Sequence, residues 1–542
     1  MYRNLRPTPL AGALVGGLLA APLLAVLYLA AVVAGTTFPP FDLFDWLARV
    51  LPGSLIRAGI NFIVSIIAAL NLEDTSRSAK TAEQVLAVVL VAAILMFAGA
   101  VLFALLRYGR RERLAGAVVG LVVGLPLALL GIIINTSAAA LPPISAIWTA
   151  TAFLAWGVAG AWVYRWLAAA PPPGTPEPAA AVYALDRRRF LVQLGGATAT
   201  ITVVGAGLGA LLSRPLPADG EPQAAAAPGW SDSHALPNAD DPLKPAPGTR
   251  PEFTPVRDHY RIDVNALPPA LDEADWTLSV FGLVDNPLEL TLDDLRAGFE
   301  PLHQFITLSC ISNPVGGDLI STQRWTGVPL RAVLDRAAPL INGGYALIRS
   351  ADGFDEILPI TDARRDERIM LAYAWDGLPL PTEHGFPLRI YIPNLYGMKQ
   401  PKWIVSIEVT DRYEDGGYWV RKGWDEVARV KSTSVIDTVA AGDLVQDGDR
   451  TLVPVGGIAY AGSRGIRAVE VRVNEGEWFP AQLRAPLSET TWVIWRYDWP
   501  FQAGEYRFEV RCIDGGGAAQ REERHDVYPS GATGLHMRRA NL

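Results

Sequence analysis

The chain has 542 residues, of which 50% are hydrophobic and 19% are charged, with a formal net charge of −8. Residues 1–213 carry 14 basic and 8 acidic side chains (net +6), whereas the remaining residues carry 33 basic and 47 acidic ones (net −14). This uneven division excludes a single soluble domain, a disordered chain and a purely multi-span transporter, and the acidic C-terminal part disfavours nucleic-acid binding.

The N-terminal part contains apolar runs long enough to cross a bilayer, which takes about 20 residues. Five such runs are Leu10–Val33, Val85–Leu106, Ala115–Ile134, Ile144–Trp166 and Phe190–Leu212. A sixth stretch, Leu51–Leu70, contains Arg57 and Asn61 and follows the amphipathic sequence FDLFDWLARV. The three arginine clusters that flank these runs can all face the cytoplasm only if the number of spans is odd. We therefore predict five spans in the cell membrane, a cytoplasmic N-terminus, and a re-entrant or interfacial Leu51–Leu70.

Glycines at four-residue spacing in the third run, Gly116, Gly120 and Gly124, are typical of helices that pack closely. For the single pairs Gly12/Gly16 and Gly205/Gly209, the general abundance of glycine in spans is an equally good explanation. None of the six histidines lies in a span, which argues against a haem held there by two histidines. We expect the membrane part to be an anchor or docking platform, and a quinone site in it is not excluded.

Two segments connect the spans to the C-terminal part. Residues 186–191 read DRRRFL, follow the proline-rich residues 171–178 and precede an apolar helix, a pattern that resembles a twin-arginine export signal. The alternative is the basic flank of an ordinary span. Residues 214–250, rich in Pro, Ala and Asp, are predicted to be a linker. Export would place the C-terminal part on the extracytoplasmic side.

Two regions follow the linker. Residues 251–428 mix predicted strands, at 277–284, 345–350 and 388–393, with a predicted helix at 328–337. Residues 429–542 show strand-length alternation at 469–473, 492–499 and 506–513 with glycines between, which predicts an all-β sandwich.

The chain has only two cysteines, which excludes a disulfide-rich scaffold and cysteine-rich zinc or iron–sulfur sites. Cys512 shares one face of a predicted strand with Tyr506, Phe508 and Val510, so we predict a core position. Cys310 ends the strand-like FITLSC before a loop with two glycines, where a thiol would be exposed. From the residues alone it is a metal ligand, a nucleophile, a buried structural thiol or a disulfide partner of Cys512.

The C-terminal part, over about residues 255–540, resembles the sulfite oxidase family of molybdenum enzymes, and bacterial membrane-bound members in particular. The motifs that carry the resemblance are YRID (260–263), WTLSVFG (276–282), SCISNPVGGDLI (309–320), RWTGVPL (324–330), ADGF (351–354), LAYAWDGLPLP (371–381), HGFPLRIYIPNLYGMKQPKWI (384–404), GYW (417–419) and AYAGSRGIRAVEV (459–471). The resemblance implies a multi-domain chain whose transmembrane bundle precedes an α+β molybdopterin domain and an immunoglobulin-like sandwich. That sandwich commonly mediates dimerisation in the family, so a homodimer is expected.

The predicted organisation combines these segments in chain order. It comprises a transmembrane helical bundle (1–167), a cytoplasmic linker with the twin-arginine-like motif (168–189), a signal-anchor helix (190–213), a second linker (214–250), the molybdopterin-binding catalytic domain (251–428) and the immunoglobulin-like domain (429–542).

The resemblance also implies a cofactor, one molybdopterin bound to molybdenum, and assigns residues to it. Cys310 matches the protein ligand of the metal, and a thiolate is a soft ligand suited to it. Positions that hold the pterin and its phosphate are matched by His384, Arg389 and Lys402, with Asn313, Lys399 and Asp352 as near neighbours and Trp325 either a neighbour or a core residue. Arg261 and Tyr260 match positions near the metal, and Arg464 matches an arginine directed at the substrate oxyanion. The alternatives are solvated surface charges, a salt bridge for Arg261 and a turn position for Arg464.

The function implied is that of an exported, membrane-anchored molybdenum oxidoreductase that transfers an oxygen atom on a small oxyanion such as sulfite. Electrons would pass to an external carrier, either a c-type cytochrome, which would suit the acidic domain, or the quinone pool. An alternative is a quinol-fed reductase of S- or N-oxides such as methionine sulfoxide, and another is a non-catalytic exported binding module.

The chain departs from the family pattern after Cys310. It reads ISNPVGG where animal and plant sulfite oxidases carry an arginine, which weakens the expectation of sulfite as substrate. It also lacks the haem segment of a cytochrome b5 domain, so no haem is expected in this chain.

Overall fold

The computed structural model describes residues 6–69, 75–108, 112–134, 141–168, 193–208, 229–413 and 415–542. Its N-terminal helices are α1 (Pro9–Ala34), α2 (Pro39–Val50), α3 (Gly53–Ala69), α4 (Thr75–Leu106), α5 (Glu112–Ile134) and α6 (Pro142–Ala168), followed by a helix over 193–208, α7. Four of them, α1, α4, α5 and α6, are long and apolar enough to cross a membrane, and they coincide with four of the five predicted spans. The ends of the fifth, Phe190–Leu212, and the DRRRFL sequence lie outside the described residues.

The glycine stripe of α5 packs against α6. A Cβ atom at Gly116 or Gly120 would lie 2.5 Å from a backbone oxygen of α6, those of Gly157 and Phe153 respectively. Gly12 of α1 meets the backbone of α4 as closely. The predicted role of the stripe in close helix packing is therefore confirmed.

Gly157→Ala should destabilise the bundle by about 1–3 kcal/mol, because its methyl group would overlap the backbone oxygen of Gly116. Gly207→Ala in α7 is the matched control, since no described atom lies within 4 Å of its Cβ position. Thermal unfolding of the full chain in detergent measures the difference. Equal midpoints for the two variants would show that the α5–α6 contact tolerates a wider spacing.

Helices α2 and α3 and the start of α4 dock on the C-terminal part of the chain. Arg49 at the end of α2 donates hydrogen bonds to Asn265 Oδ1 (3.0 Å) and to the backbone oxygen of Asp352 (2.7 Å). Lys80 of α4 donates to the backbone oxygen of Asn265 (3.1 Å), and Asp45 accepts from the amide of Ala266 (2.8 Å). The stretch Leu51–Leu70 is thus a 17-residue helix, α3, that is not among the four candidate spans.

The described part of the region from about 251 to 428 contains ten strands, three short α-helices and three 3-10 helices of three residues each. The strands are β1 (Leu278–Gly282), β2 (Leu288–Leu290), β3 (Leu302–Ser309), β4 (Ile320–Pro329), β5 (Tyr345–Ser350), β6 (Asp355–Pro359), β7 (Met370–Trp375), β8 (Leu378–Pro379), β9 (Arg389–Tyr391) and β10 (Ile404–Thr410). The helices of the C-terminal part are α8 (Trp230–Ser233), α9 (Leu292–Gly298), α10 (Leu330–Ala337) and α11 (Ile360–Arg365), of which α8 precedes this region.

These strands form two sheets. One has the order β2-β1-β10-β5-β6, and the other has the order β3-β4-β7-β8 with β9 also paired to β7. Only β1 and β10 pair in parallel, and a buried core joins β1, β5 and β10 to α9 and α10. The predicted helix 328–337 begins two residues late, because Val328 and Pro329 complete β4. The mixed α+β character is confirmed.

The C-terminal region consists of strands. They are β11 (Thr433–Val439), β12 (Val445–Asp447), β13 (Arg450–Tyr460), β14 (Ile466–Val473), β15 (Phe479–Pro480), β16 (Gln482–Leu483), β17 (Val493–Pro500), β18 (Glu505–Asp514) and β19 (His536–Asn541). One sheet has the order β11-β13-β17-β16 with β12 paired to β13, and the other has the order β15-β14-β18-β19. Trp495, Phe508 and Cys512 belong to the core between them, which confirms the predicted core position of Cys512. The immunoglobulin-like type stays a prediction.

The second half of the predicted linker 214–250 is packed rather than extended. The amide of Trp230 donates to the backbone oxygen of Asp376, and Arg484 donates to the backbone oxygen of Asn238 (2.8 Å). Arg250 forms an ion pair with Asp437 (2.7 Å). A composition rich in Pro, Ala and Asp indicated a linker, but these single polar contacts fix residues 229–250 to both C-terminal regions.

Candidate active site

A cavity of about 630 Å³ lies between the sheet that contains β3 and the docked N-terminal helices. Its wall includes side chains at the ends of three strands: Cys310 directly follows β3, Arg389 begins β9, and Lys402 precedes β10. Tyr260, in a loop, and His384, at the end of a 3-10 helix (Thr382–His384), complete this part of the wall. With Asp352, which also lines it, the structure therefore brings six of the predicted site residues into one cavity.

Cys310 is buried and has a free thiol, as has Cys512. Its Sγ lies 3.0 Å from the hydroxyl of Ser312, and burial raises the pKa of the thiol. The expected exposure of this thiol was wrong, and the disulfide alternative finds no support. A buried thiol without a neighbouring cation is a poor nucleophile, whereas a bound metal ion would itself supply the charge that removes the proton. The environment thus favours a metal ligand.

The loop after Cys310 is held by Asn313. Its side-chain oxygen accepts a hydrogen bond from the amide of Leu319 (3.0 Å), and a Cβ at Gly317 would lie 2.3 Å from the same oxygen. Gly316 adopts φ +81°, which favours glycine. Asn313 is not among the described residues that line the cavity, so it shapes the loop that presents Cys310.

Arg389 is buried over two tryptophan rings. Its guanidinium carbon lies 4.6 Å from the ring centroid of Trp325 and 5.3 Å from that of Trp375, and its Nη1 donates to the backbone oxygen of His384 (2.9 Å). Burial lowers its pKa to about 10. Trp325 is fully buried, and its ring packs against this guanidinium, so Trp325 is a core residue.

Lys402 and Arg261 share one carboxylate, that of Asp263. Lys402 Nζ also donates to the backbone oxygen of Glu383 (3.0 Å). Burial tends to raise the pKa of Asp263, but the two cations outweigh it and lower the pKa to about 2. Burial lowers the pKa of Lys402 to about 8, against the attraction of Asp263. The predicted salt-bridge alternative for Arg261 is therefore present, although one of its nitrogens remains free.

His259 is a candidate site residue that the sequence did not single out. It lines the cavity, and its ring lies 5.2 Å from that of His384 and 4.3 Å from that of Trp375. Its Nδ1 lies 3.1 Å from the backbone oxygen of Tyr260, which fixes the ring. The only available signal was its position directly before the YRID motif.

Three buried nitrogen atoms at this site have no hydrogen-bond partner among the described residues: His259 Nε2, Arg261 Nη2 and Arg389 Nε. Buried polar groups are nearly always satisfied, so these atoms indicate a missing ligand. The ligand must carry several acceptors and negative charge, because the wall combines Arg389, Lys402 and two imidazoles. A pterin with a phosphate group, bound to a metal held by Cys310, fits this donor set.

The remaining predicted residues lie in three different settings. Asp352 lines the cavity, and burial raises its pKa to about 6. Lys399 forms a buried ion pair with Glu356 (2.6 Å) and is not among the described lining residues. Arg464 is also outside that lining: its guanidinium bonds Asp514 (3.0 Å) and Asn394 (2.9 Å) at the joint between the two C-terminal regions.

Comparison with known proteins identifies the family. Residues 265–419 match the family described as "Oxidoreductase molybdopterin binding domain". The chain is 34% identical over 153 residues to the uncharacterized oxidoreductase YuiH of Bacillus subtilis, a match that covers 28% of this chain and 74% of YuiH. This chain belongs to the sulfite oxidase-type family of molybdopterin oxidoreductases. It is accordingly a molybdenum-dependent oxidoreductase, and molybdenum–molybdopterin is its cofactor.

Other members of the sulfite oxidase-type family match more of the chain at lower identity. Nitrate reductase [NADH] 1 of Oryza sativa is 30% identical over 303 residues (45% of this chain, 33% of that protein). The mitochondrial sulfite oxidase of Macaca fascicularis is 28% identical over 298 residues (46% and 53%). The chain thus spans a third to a half of the length of these two relatives. The sulfane dehydrogenase SoxCD from Paracoccus pantotrophus matches at 20% identity with a TM-score of 0.47, over 55% of this chain and 86% of that one.

The buried imidazoles predict acid sensitivity of the cofactor-free protein. Burial lowers the pKa of His384 well below 6.5 and that of His259 to about 3. Between pH 6.5 and 3 the unfolded chain binds protons that the folded chain does not, so stability falls as the pH falls. The expected loss is about 1.4 kcal/mol for each pH unit and each histidine.

Thermal unfolding of the cofactor-free full chain at pH 7 and pH 5 measures this loss. His259→Gln should make the decrease with pH shallower, because one of the two imidazoles no longer takes up a proton on unfolding. An unchanged pH dependence in this variant would mean that His259 is accessible to protons in the folded state.

Proposed function

We propose that the chain is a membrane-anchored oxidoreductase that transfers one oxygen atom, with two electrons, on a small substrate such as sulfite. The observation that carries the proposal is the buried free thiol of Cys310 in one cavity with His259, His384, Arg389 and Lys402. Arg389 and Lys402, with His259 and His384, form what is here called the cationic cradle. A soft metal ligand and such a cradle in one enclosed space are what a phosphate-bearing molybdenum cofactor requires.

The position of each residue in the cavity indicates its proposed role. Bound to this site, the cofactor supplies two-electron oxygen-atom transfer chemistry. Cys310 would hold the metal, and Arg389, Lys402, His259 and His384 would hold the pterin and its phosphate. The stacking of Arg389 on Trp325 and the bond of Lys402 to Asp263 fix these cations in place before the ligand arrives. Such pre-organisation lowers the entropic cost of binding.

Tyr260 and Arg261 are the groups assigned to the substrate. Burial raises the pKa of Tyr260 well above 10, so its hydroxyl stays protonated and can donate a hydrogen bond to a substrate oxygen. The free Nη2 of Arg261 is a second donor, next to the carboxylate of Asp263 that orients the guanidinium. Contact of Arg464 with a substrate anion remains part of the proposal, and would require it to exchange its partners Asp514 and Asn394.

A reductase of neutral S- or N-oxides, such as methionine sulfoxide, is the second candidate. It is favoured by the apolar side chains that line the rest of the cavity, among them Ile262, Val264, Phe354 and Trp424. Loss of hydration beside these groups costs an anion more than it costs a neutral oxide. The absence of a cation in the ISNPVGG sequence after Cys310 favours the same candidate.

The proposal includes export of the catalytic domain. The twin-arginine-like DRRRFL sequence and the net charge of −14 beyond residue 213 support it, since an acidic surface suits a basic carrier such as a c-type cytochrome. The quinone pool is the other electron partner considered, and the C-terminal sandwich would serve a homodimer. Protease treatment of intact spheroplasts should cleave the catalytic domain, and protection of that domain would contradict the orientation.

The substrate test uses the full chain purified with its cofactor. Sulfite oxidation is followed with ferricyanide as electron acceptor, and methionine sulfoxide reduction with reduced viologen as donor. Turnover in either assay that disappears in Cys310→Ala supports the proposal and selects the substrate class. No turnover of any oxyanion, S-oxide or N-oxide by cofactor-replete protein would contradict it.

A further inference from the structure

The cavity that contains Cys310 is closed on one side by the membrane part of the chain. Ile60 and Ile63 of α3 and Ala79 and Glu83 of α4 belong to the same wall as the cationic cradle. Helix α4 then continues to Leu106 as one of the four candidate spans. The wall of the candidate active site therefore includes the first part of a candidate membrane span.

Helix α3 presents apolar side chains on two opposite faces. Its inner face carries Ile60 and Ile63, and its Arg57 lies over the ring of Tyr528 at 3.7 Å from the centroid. Its outer face carries the exposed side chains Leu55 (56%), Phe62 (61%) and Ile66 (41%), whose spacing of seven and four residues places them on one stripe.

Val85, Leu86 and Val89 on α4 are exposed apolar side chains, like those of the outer stripe of α3. A face of this kind on a membrane protein is solvated by lipid rather than by water. Helix α3 is thus apolar both on the face that lines the cavity and on its exposed face. With lipid against the exposed face, a lipid-soluble molecule would need to pass only this helix to reach the cavity.

The lining of the cavity favours an aromatic, amphiphilic occupant. Trp403, Trp419 and Trp424 line it with the isoleucines of α3, while Thr75, Ser312 and Asp526 supply polar groups outside the residues assigned to the pterin. Tryptophan rings stack on planar apolar rings. An aromatic ring with two oxygen atoms and a long apolar tail matches this division.

The proposed redox reaction also needs a partner for two electrons. No histidine occurs before residue 234, so the apolar helices offer no imidazole pair to hold a haem that could carry the electrons away. We propose that a membrane quinone binds in this cavity beneath α3 and exchanges two electrons and two protons with the active site. This inference rests on the proposed function and names its electron partner.

Atoms and electrons balance in both directions of the reaction with these reactants. In the oxidative direction, the substrate and one water give the oxygenated substrate, and the two protons and two electrons of that step convert the quinone to the quinol. In the reductive direction, the quinol supplies two protons and two electrons, the substrate loses its oxygen as water, and the quinone is released.

The test is photolabelling of the full chain in lipid nanodiscs. The probes are an azido-benzoquinone and an azido-naphthoquinone, each with a decyl tail, and the labelled peptides are mapped by mass spectrometry. Saturable labelling by either probe within α3 or around Trp419 and Trp424, displaced by the same quinone without the azide, supports the proposal.

Two variants make the test specific. Ile63→Phe fills space on the inner face of α3 and should reduce saturable labelling at least 5-fold, whereas Leu55→Phe on the outer face should leave it unchanged. Molybdenum and pterin content should be unchanged in both variants. Labelling that is not saturable, that is spread over the bundle, or that is equal in Ile63→Phe and Leu55→Phe would overturn the proposal.

The outcome is distinguishable from failure of the proposed function. Specific labelling of a chain that turns over neither an oxyanion nor an S- or N-oxide would support the quinone site and refute the proposed reaction. Turnover with artificial dyes but without specific labelling would support the reaction and refute the quinone site.

Discussion

Cys310→Ser should reduce substrate turnover by well over about 100-fold, since even groups that only support a metal ligand are typically worth about 10–100-fold. The serine hydroxyl is a harder and far less acidic ligand, and in the part of the chain that the structure describes no cationic side chain lowers the pKa at position 310. The pterin should stay bound, because the residues proposed to hold it, Arg389, Lys402 and the two histidines, are unchanged. Turnover, molybdenum and pterin per chain are measured together.

Cys512→Ser is the matched control for this prediction. Cys512 is also buried, but it lies in the core of the C-terminal sandwich, where Gln520 Oε1 (3.3 Å) can accept a hydrogen bond from the new hydroxyl. We expect near-normal turnover with a modest loss of stability. Similar activity losses in both variants, or full activity of Cys310→Ser, would contradict the role of Cys310 as metal ligand.

Arg389→Met should have opposite effects on cofactor binding and on the cofactor-free fold. The guanidinium is buried, its Nε has no hydrogen-bond partner among the described residues, and burial lowers its pKa to about 10, so the cofactor-free protein carries the cost of a buried charge. Methionine keeps the contact with Trp325 and removes that charge, so the cofactor-free protein should be as stable as before or more stable. The lost charge-assisted hydrogen bonds are worth about 1.5–3 kcal/mol each, and cofactor affinity should fall about 10- to 100-fold.

Cofactor content after gel filtration and thermal unfolding of the cofactor-free chain measure the two effects. Arg331→Met, at a half-exposed arginine of α10, is the control and should change neither quantity appreciably. If Arg389→Met retained its cofactor and lost stability, the arginine would be a structural residue of the core and the cradle would have to be assigned elsewhere.

Local patterns in the sequence were sufficient for much of the fold. Hydropathy located the four candidate spans, because about 20 consecutive apolar residues have few alternatives to a membrane helix. Period-two alternation located β5, β17 and β18, and it placed Cys512 in the core. The strand that ends at Cys310 was also recognised, although not the burial of its thiol, because burial depends on elements that are distant in the sequence.

Site residues were harder to assign than strands and spans. Arg389, Lys402 and His384 do line the cavity, but Lys399, three residues before Lys402, points into an ion pair with Glu356. A neighbouring position in a motif does not fix the direction of a side chain. Arg464 and His259 show the same limit, since contacts of Arg464 with Asn394 and of His259 with Trp375 join segments 70 and more than 100 residues apart.

No periodic pattern in the sequence predicted that α3 docks over the cavity. The sequence of Leu51–Leu70 is apolar with one arginine, which fits a short span, a re-entrant segment and an interfacial helix equally well. Its position is fixed by contacts such as those of Arg57 with Tyr528 and of the neighbouring Arg49 with Asn265. These contacts are what connect the candidate active site to the membrane part of the chain.

The measurement that tests the central claim most directly is the molybdenum and pterin content of the purified full chain, with Arg389→Met beside it. The account predicts about one molybdenum and one pterin per chain in the unmodified protein and a clear loss of pterin in the variant. Negligible metal and pterin in protein from a molybdenum-replete, cofactor-competent host, or equal pterin in both proteins, would contradict the assignment of this cavity as the cofactor site.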